Sequence, residues 1–464
     1  MMENDIKQIL KDNNMQEGKL TDKVVSKLIN NASVIKNLHS ITDAKRNIME
    51  EAMIYKEKEE FKEAHFMIKN ANAKQFYEFS FDMEKFPNIR IKNIRNLDSA
   101  DLTFENNTIS GTPKISSTYD LDIEFFHVND ENNIDIKTVQ LFVNADPKDL
   151  WKNIPSPDNA IFYKPEERKF KGNFLDRKIV VASKRGRSHA HEGTFRDDDF
   201  AVNDLPQNWS VVSVSDGAGS AKMARYGSQL AVESINNFFN SEEIINDIEK
   251  HIKTIYSTEE VQNTEIPASD PKVEVRQNII KLLYKGVLNT YTILNEEAAK
   301  NSLALRDLHA TLIFALTKKF DFGYVVLTFG VGDCPINLIN KDFSDVKLLN
   351  TMDVGEFGGG TRFITMKEIF NDPNITSRFG ITCIEDFSNL VLMTDGIYDP
   401  KFVTENKLED LESWKTFIDD LNGNNEDKAK IDFQNDENID DQLMTWIDFW
   451  SKGNHDDRTL AIIY

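Results

Sequence analysis

The chain has 464 residues, with 77 acidic against 55 basic side chains and a formal charge of −22. That length exceeds one ordinary domain, and the acidic balance excludes nucleic acid as a main partner, because phosphate binding needs a basic face. The two cysteines, Cys334 and Cys383, exclude a disulfide framework and suit a reducing compartment. The first residues lack the apolar core of a signal peptide and no apolar run is long enough to span a bilayer. The expectation is a cytoplasmic protein with no membrane partner.

Residues 1–75 have a helical pattern. Thr21-Asp22 and Thr42-Asp43 read as helix starts, followed by apolar stripes at Val24, Val25, Leu28 and Ile29, then Ile48, Ala52 and Met53. No heptad is sustained, so a surface helix is favoured over a coiled coil. Between 76 and 147 the period changes to that of half-buried strands, as in Tyr119 to Phe126 and Thr138 to Val143, with turn chemistry at Ser110-Gly111-Thr112-Pro113. Leu102 to Phe126 resembles small bacterial immunoglobulin-like modules, which bind or space. The proline-rich, charged stretch 148–171 reads as a linker, with Trp151, Phe162 and Tyr163 as anchors.

From 172 to 464 strands and helices alternate. Ile179 to Ser183 and the β-branched run at Val211, Val212 and Val214 are strands. A helix with Met223, Leu230, Ala231, Ile235 and Phe238 on its apolar face follows the second of them. Asn278 to Asn301 is a helix burying Ile279, Leu282, Leu283, Val287, Tyr291 and Leu294. His309 to Lys319 and Gly323 to Asn340 read as paired strands with a glycine turn at Gly330 to Asp333. The strand Tyr324 to Phe329 is expected beside the strand that ends at Asp395. Residues 400–455 are helical and acidic, and Thr459 to Tyr464 is a closing strand.

Three strand borders carry aspartates: Asp216-Gly217 after the Val211 strand, Asp395-Gly396 after Asn389 to Thr394, and Asp456-Asp457 before Thr459. A lone Asp-Gly is an ordinary turn signal. Aspartates at three strand borders, two of them Asp-Gly and one Asp-Asp, point to carboxylates gathered into one cluster, which repels itself unless cations are bound.

The ordered set Arg196-Asp197-Asp198-Asp199-Phe200, Asp216-Gly217, Ala310-Thr311-Leu312, Gly332-Asp333, Asp395-Gly396 and Asp456-Asp457-Arg458-Thr459 resembles the metal-dependent type 2C protein serine/threonine phosphatases. Ser188-His189 and Gly355-Glu356…Thr361-Arg362-Phe363 match the bacterial branch of that family. The resemblance implies an α+β chain. Its phosphatase domain is a two-sheet β-sandwich flanked by helices, preceded by the helical segment and the small all-β immunoglobulin-like domain. It implies hydrolysis of phosphoserine and phosphothreonine on protein substrates by a binuclear Mn²⁺ or Mg²⁺ centre with a metal-activated water.

Carried over residue by residue, Asp216 bridges the two ions and the Gly217 carbonyl joins it. Asp395 and Asp456 complete one shell, and one or two of Asp197, Asp198 and Asp199 serve the other, mostly through water, with Asp198, alone or with Asp199, favoured. Asp333 helps hold an additional, weaker ion. An all-oxygen donor set suits hard Mn²⁺ or Mg²⁺. Ala218 stands where many eukaryotic members carry a histidine, leaving His189, His191 or a metal-bound water as the general acid. Arg187 and Arg196 are the candidates for phosphate binding, although neither falls at the family's position.

Two rival readings are a degenerate phosphatase-fold scaffold and a von Willebrand A-like adhesion module. The second needs an Asp-x-Ser-x-Ser strand end, which Asp216-Gly217-Ala218 breaks, and retention of Asp216, Asp395 and Asp456 together counts against the first. Residues 1–147 offer no clustered acid, base or nucleophile, and are expected to bind a protein partner in targeting or regulation.

Overall fold

The computed structural model describes residues 2–15, 18–256, 272–353 and 360–464, so Gly355-Glu356 lies outside the described residues. The chain divides into two units, Met1–Leu150 and Trp151–Tyr464. No helix among the described residues is long and apolar enough to cross a membrane.

The first unit opens with helices α1 (Met2–Asp12), α2 (Lys19–Leu28) and α3 (Ala32–Glu63). Neither expected helix start is used. The cap is Asn31, whose side chain accepts from the Ser33 and Val34 amides at 3.0 and 3.3 Å, satisfying donors that have no partner inside the helix. Thr42 lies inside α3, where its hydroxyl donates to the Leu38 carbonyl at 2.9 Å. The helical part ends at Glu63, and β1 (Ala71–Asn72) already belongs to a sheet.

Strands β2 (Tyr77–Ser80), β3 (Ile89–Arg95), β4 (Leu102–Glu105), β5 (Thr108–Gly111), β6 (Ser117–His127) and β7 (Asp130–Asn144) complete the unit. They form a four-stranded sheet, β1-β7-β6-β3, and a three-stranded sheet, β2-β5-β4. One core joins the two through Tyr77, Ile109, Leu121, Ile123 and Leu141. The alternation in β6, with Leu121, Ile123 and Phe125 buried, is the period-2 signal of a half-buried strand.

In the second unit the chain runs through β8 (Glu167–Phe174), β9 (Arg177–Lys184), α4 (Arg187–Glu192), β10 (Asp199–Leu205) and β11 (Trp209–Ser215). Helices α5 (Ala224–Phe239), α6 (Glu242–Tyr256) and α7 (Lys272–Lys300) follow. Next come β12 (Leu312–Phe320), β13 (Gly323–Val331), β14 (Ile336–Asn340), β15 (Val346–Leu348), α8 (Lys367–Phe370), β16 (Phe379–Ile384) and β17 (Phe387–Met393). The chain ends with α9 (Asp395–Phe402), α10 (Leu411–Leu421), α11 (Ile439–Trp446) and β18 (Arg458–Ile463).

Two sheets result, β10-β11-β12-β13-β16 and β15-β14-β17-β18-β9-β8. Val212, Val214, Val326, Leu390, Leu392 and Ala461 pack between them. A second core joins the first sheet to α5, α6 and α7, and a third joins the other sheet to α9, α10 and α11. The order is therefore helix, sheet, sheet, helix. Central strands covered on both faces, such as β11 and β13, are buried throughout, which explains their continuous apolar runs. Strands β13 and β17 lie in different sheets, contrary to the expected pairing; β13 is bonded to β12 and β16.

All neighbouring strands within these two sheets are antiparallel. The ends of β11 and β13 and the start of β10 therefore lie at one edge of the first sheet. In the other sheet the ends of β17 and β9 share an edge with the start of β18. All of these positions except the end of β9 carry aspartates.

Of residues 148–171, expected as a linker, 151–171 belong to the second unit. Phe162 stacks on Tyr226 with ring centres 3.8 Å apart, Lys164 is buried, and Glu167 already starts β8.

Candidate metal centre

Asp216 leaves β11 held by its neighbours. Its amide donates to Thr311 Oγ1 at 2.9 Å, the Thr311 amide donates back to the Asp216 carbonyl at 2.8 Å, and the Ala218 amide reaches the His309 carbonyl at 3.0 Å. The Ala310-Thr311-Leu312 motif is thus a clamp on the Asp216-Gly217 turn. Asp395 sits in the first turn of α9, after Thr394. The Thr394 amide donates to the Thr459 carbonyl at 3.0 Å, and the Thr459 amide donates to Thr394 Oγ1 at 2.9 Å. A side chain at Gly396 would collide with the Asp457 carbonyl, so only glycine lets the two segments approach.

Asp198 is buried among polar partners. Its Oδ2 accepts from Thr394 and Thr459 at 2.8 and 2.7 Å, while its Oδ1 has no donor. Asp333 follows Gly332, whose φ of +104° favours glycine. Thr361 donates to Asp333 Oδ2 at 2.8 Å, and Asp333 Oδ1 is again without a donor. Asp395 Oδ1 is the third such oxygen. Asp216 and Asp333 each place a carboxylate oxygen within 4.8 Å of the other and of the Cys334 sulfur. Asp456 accepts the Asp457 amide at 2.8 Å and groups within 4.8 Å with His189 and Asp457, apart from the Asp216 and Asp333 group, although its charge acts on Asp216 and Asp395.

Electrostatics agree with the geometry. Burial, and then the neighbouring carboxylates beginning with Asp395, pushes Asp216 well above the usual carboxylate range. Burial, and then Asp456, does the same for Asp395. Asp198 is raised to about 7 by burial and by Asp457. Buried acids repelling one another, with three oxygens that lack any donor, are a poor structural device and a fitting cradle for hard cations. Besides oxygens the two groups offer only Cys334, whose thiol is pushed up by burial and by the charge of Asp216, and His189, whose Nδ1 is taken by Asp457. The residues therefore fit divalent ions of the Mn²⁺ or Mg²⁺ kind.

Two of the sequence candidates, Asp199 and Arg196, are placed otherwise. The Asp199 carboxylate is enclosed by cations: Lys164 at 3.0 Å, Arg168 at 2.5 Å and Arg196 at 3.8 Å. Burial opposes its ionisation, but Lys164 and the two arginines outweigh that and hold it down to about 2. It is an internal ion-pair anchor with its lone pairs already taken, which corrects its assignment as a ligand. Arg196 is fully buried and donates to Ser183 Oγ at 2.6 Å and to the Asp198 carbonyl at 2.5 Å, so it braces the acidic loop and cannot meet a phosphate. Arg187 donates to the Asp448 carbonyl at 2.6 Å, beside a small hollow that Asp456 also lines.

Sequence reasoning missed the residues that hold this loop. Asp457, buried, accepts from the amides of Gly186, at 2.5 Å, and of Asp197, and from His189 Nδ1 at 3.1 Å. Burial lowers the His189 pKa, yet Asp457 and Asp197 outweigh it and raise it to about 10, so these carboxylates favour the imidazolium form. His191 turns away, its Nδ1 accepting from the Lys152 amide at 3.1 Å. Lys164 reaches in from the presumed linker and binds Asp199, Ser228 and the Arg225 carbonyl. The signal for Asp457 was the doublet at 456–457; nothing in the sequence marks Lys164.

The protein phosphatase 2C family model matches residues 185–447, more than half of the chain. Solved structures similar to this chain include the serine/threonine phosphatase Stp1 from Staphylococcus aureus, at 14% identity and a TM-score of 0.34, covering 63% of this chain and 95% of that one. Another is the Mycobacterium tuberculosis serine/threonine phosphatase PstP/Ppp, at 13% identity and a TM-score of 0.33, covering 61% and 97%. A PstP catalytic domain in complex with two manganese ions is similar at 12% identity and a TM-score of 0.33, covering 61% and 96%. No curated protein sequence matches.

Proposed function

The chain belongs to the protein phosphatase 2C family of metal-dependent phosphoprotein phosphatases, and on that premise we propose that it hydrolyses phosphoserine and phosphothreonine at a binuclear Mn²⁺ or Mg²⁺ centre. The observation that carries this reading is the set of three carboxylate oxygens, on Asp198, Asp333 and Asp395, that have no donor although buried. Asp216, the Gly217 carbonyl, Asp395 and Asp456 are the proposed ligands of the ion pair, with Asp198 assisting and Asp333 serving a further, weaker site.

Bound there, the ions supply a nucleophilic water at neutral pH and offset charge on the phosphate. The rest is the work of the chain. Thr394 and Thr459 fix one edge of Asp198 so that the other faces the centre. Thr311 locks the Asp216 turn against the sheet. His189, held by Asp457, is the proposed proton donor to the departing alkoxide, in place of the histidine that Ala218 replaces. Of the two arginine candidates only Arg187, 28% exposed in its side chain, keeps access to a phosphate.

The proposed place of action is a reducing compartment such as the cytoplasm, where Cys334 and Cys383 stay unpaired. Residues 1–147, including the proposed immunoglobulin-like part at 76–147, serve a protein partner; Ile48 and Tyr55 of α3 are 67% and 60% exposed. The catalytic reading is tested by phosphate release from phosphothreonine peptides with Mn²⁺, without metal and with a chelator.

A further inference from the structure

A cavity of about 780 Å³ opens between α7, the turn at 305–308 and α8. Leu305 and Met366 supply apolar lining, and Arg306 and Lys367 line it with cations. Both cations are exposed, and neither has an ion-pair partner among the described residues. Arg362 in the same lining is neutralised by Asp372 at 3.0 Å, and Glu368 is the one remaining carboxylate of the lining. In a chain of net charge −22 a cationic excess beside an apolar lining is unusual, and it suits a ligand that is anionic.

Two walls of the cavity are continuous with the carboxylate cluster. His309 lines it, and the next residue, Ala310, bridges to Gly217. Arg362 lines it, and the preceding residue, Thr361, holds Asp333. A polypeptide extended across the cluster advances about 3.3–3.6 Å per residue, so side chains a few positions from a phosphoresidue come over the cavity.

We propose that this cavity receives an acidic side chain flanking the phosphoresidue, so that phosphoproteins acidic beside their phosphosite are the preferred substrates. The inference rests on the phosphatase reading above. Arg306 and Lys367 attract the flanking carboxylates, while Leu305 and Met366 pack against their aliphatic stems.

The test uses the full chain with Mn²⁺ and three phosphothreonine peptides, identical except for three acidic, three glutamine or three lysine residues beside the phosphosite. Wild type should show KM lowest for the acidic peptide, by roughly tenfold over the neutral one, as two surface ion pairs allow. The double variant Arg306→Glu/Lys367→Glu should reverse that order in favour of the lysine peptide and leave turnover of a small aryl phosphate unchanged, which also shows that it is folded. Equal KM for all three peptides with wild type, or a variant whose preference does not move, overturns the proposal while aryl phosphate hydrolysis still stands. Absence of aryl phosphate hydrolysis by wild type overturns the phosphatase reading, and this inference with it.

Discussion

Thr459 Oγ1 donates to Asp198 Oδ2 at 2.7 Å, joining the last strand to a loop 261 residues earlier in the chain. With Oδ2 held by Thr459 and Thr394, Oδ1 is left without a donor, and loss of the bond should loosen the proposed site without unfolding the sheet. Thr459→Val removes a charge-assisted hydrogen bond, worth about 1.5–3 kcal/mol. The Mn²⁺ concentration for half-maximal rate should rise roughly tenfold or more. Thr459→Ser, which keeps the hydroxyl, should restore it. Equal metal curves for wild type and Thr459→Val would show that Asp198 needs no orienting.

Asp216 and Asp198 should differ in kind. Asp216→Asn removes the proposed bridging ligand and should abolish turnover at any Mn²⁺ concentration. Asp198→Asn should leave residual activity that recovers with added metal, because solvent can replace a ligand acting through water. Comparable residual rates in both variants at saturating Mn²⁺ would contradict these roles.

The pH dependence of stability should separate two groups of acids. Asp216 and Asp395 titrate above the carboxylate range in the folded chain, so the fold favours their protonated forms. The penalty of ionising them is present near neutral pH and is relieved as pH falls toward about 4. Metal-free protein should therefore melt at a higher temperature in mild acid than at neutral pH. Adding Mn²⁺ at neutral pH should supply a similar gain, and Asp216→Asn should lose most of both effects. A flat profile for metal-free wild type would argue that these acids do not repel one another.

Asp199 acts in the opposite sense and in another window. Its carboxyl is held near 2 in the fold, so its contribution, of order 2 kcal/mol, is complete above about 4 and is lost as pH falls through 2. Asp199→Asn leaves Lys164 buried without its counter-charge and should destabilise the second unit by about 3–5 kcal/mol, measured by urea unfolding near neutral pH. A loss of activity in that variant with unchanged stability would instead make Asp199 a ligand.

A fragment of residues 151–464 should fold with wild-type activity toward a small aryl phosphate. One starting at Gly172 should be markedly less stable, because it lacks Lys164 and most of β8. Equal melting temperatures for the two fragments would return 151–171 to the status of a linker.

The acidic positions were legible because they stand at or near strand borders in a fixed order: Asp216, Asp333 and Asp395 each adjoin a glycine, and Asp456 lies two residues before β18. The buried strands β11 and β13 were visible as unbroken apolar runs. What stayed hidden depends on contacts distant in sequence. Asp199 and Asp198 are neighbours with the same side chain, and only the cations around one and the threonines beside the other separate their roles. Arg196 resembles a loop arginine until its burial is seen, and Lys164 lies in a proline-rich stretch that reads as a connector. The start of α3 was misplaced because Thr42-Asp43 has cap chemistry, whereas Asn31, a better cap, precedes no strong apolar stripe. The pairing of β13 with β17 failed because both end at the same cleft from opposite sheets.

The carboxylates around Asp216 and Asp395 are proposed to hold the divalent ions that hydrolysis of phosphoproteins requires. The most direct measurement is the initial rate of phosphate release from a phosphothreonine peptide by chelator-treated full-length protein, titrated with Mn²⁺ and repeated for Asp216→Asn. The expected result is no release without metal, a saturable rise with Mn²⁺ for wild type, and none for Asp216→Asn. Release that persists in chelator, or an Asp216→Asn protein with the wild-type response, would contradict it.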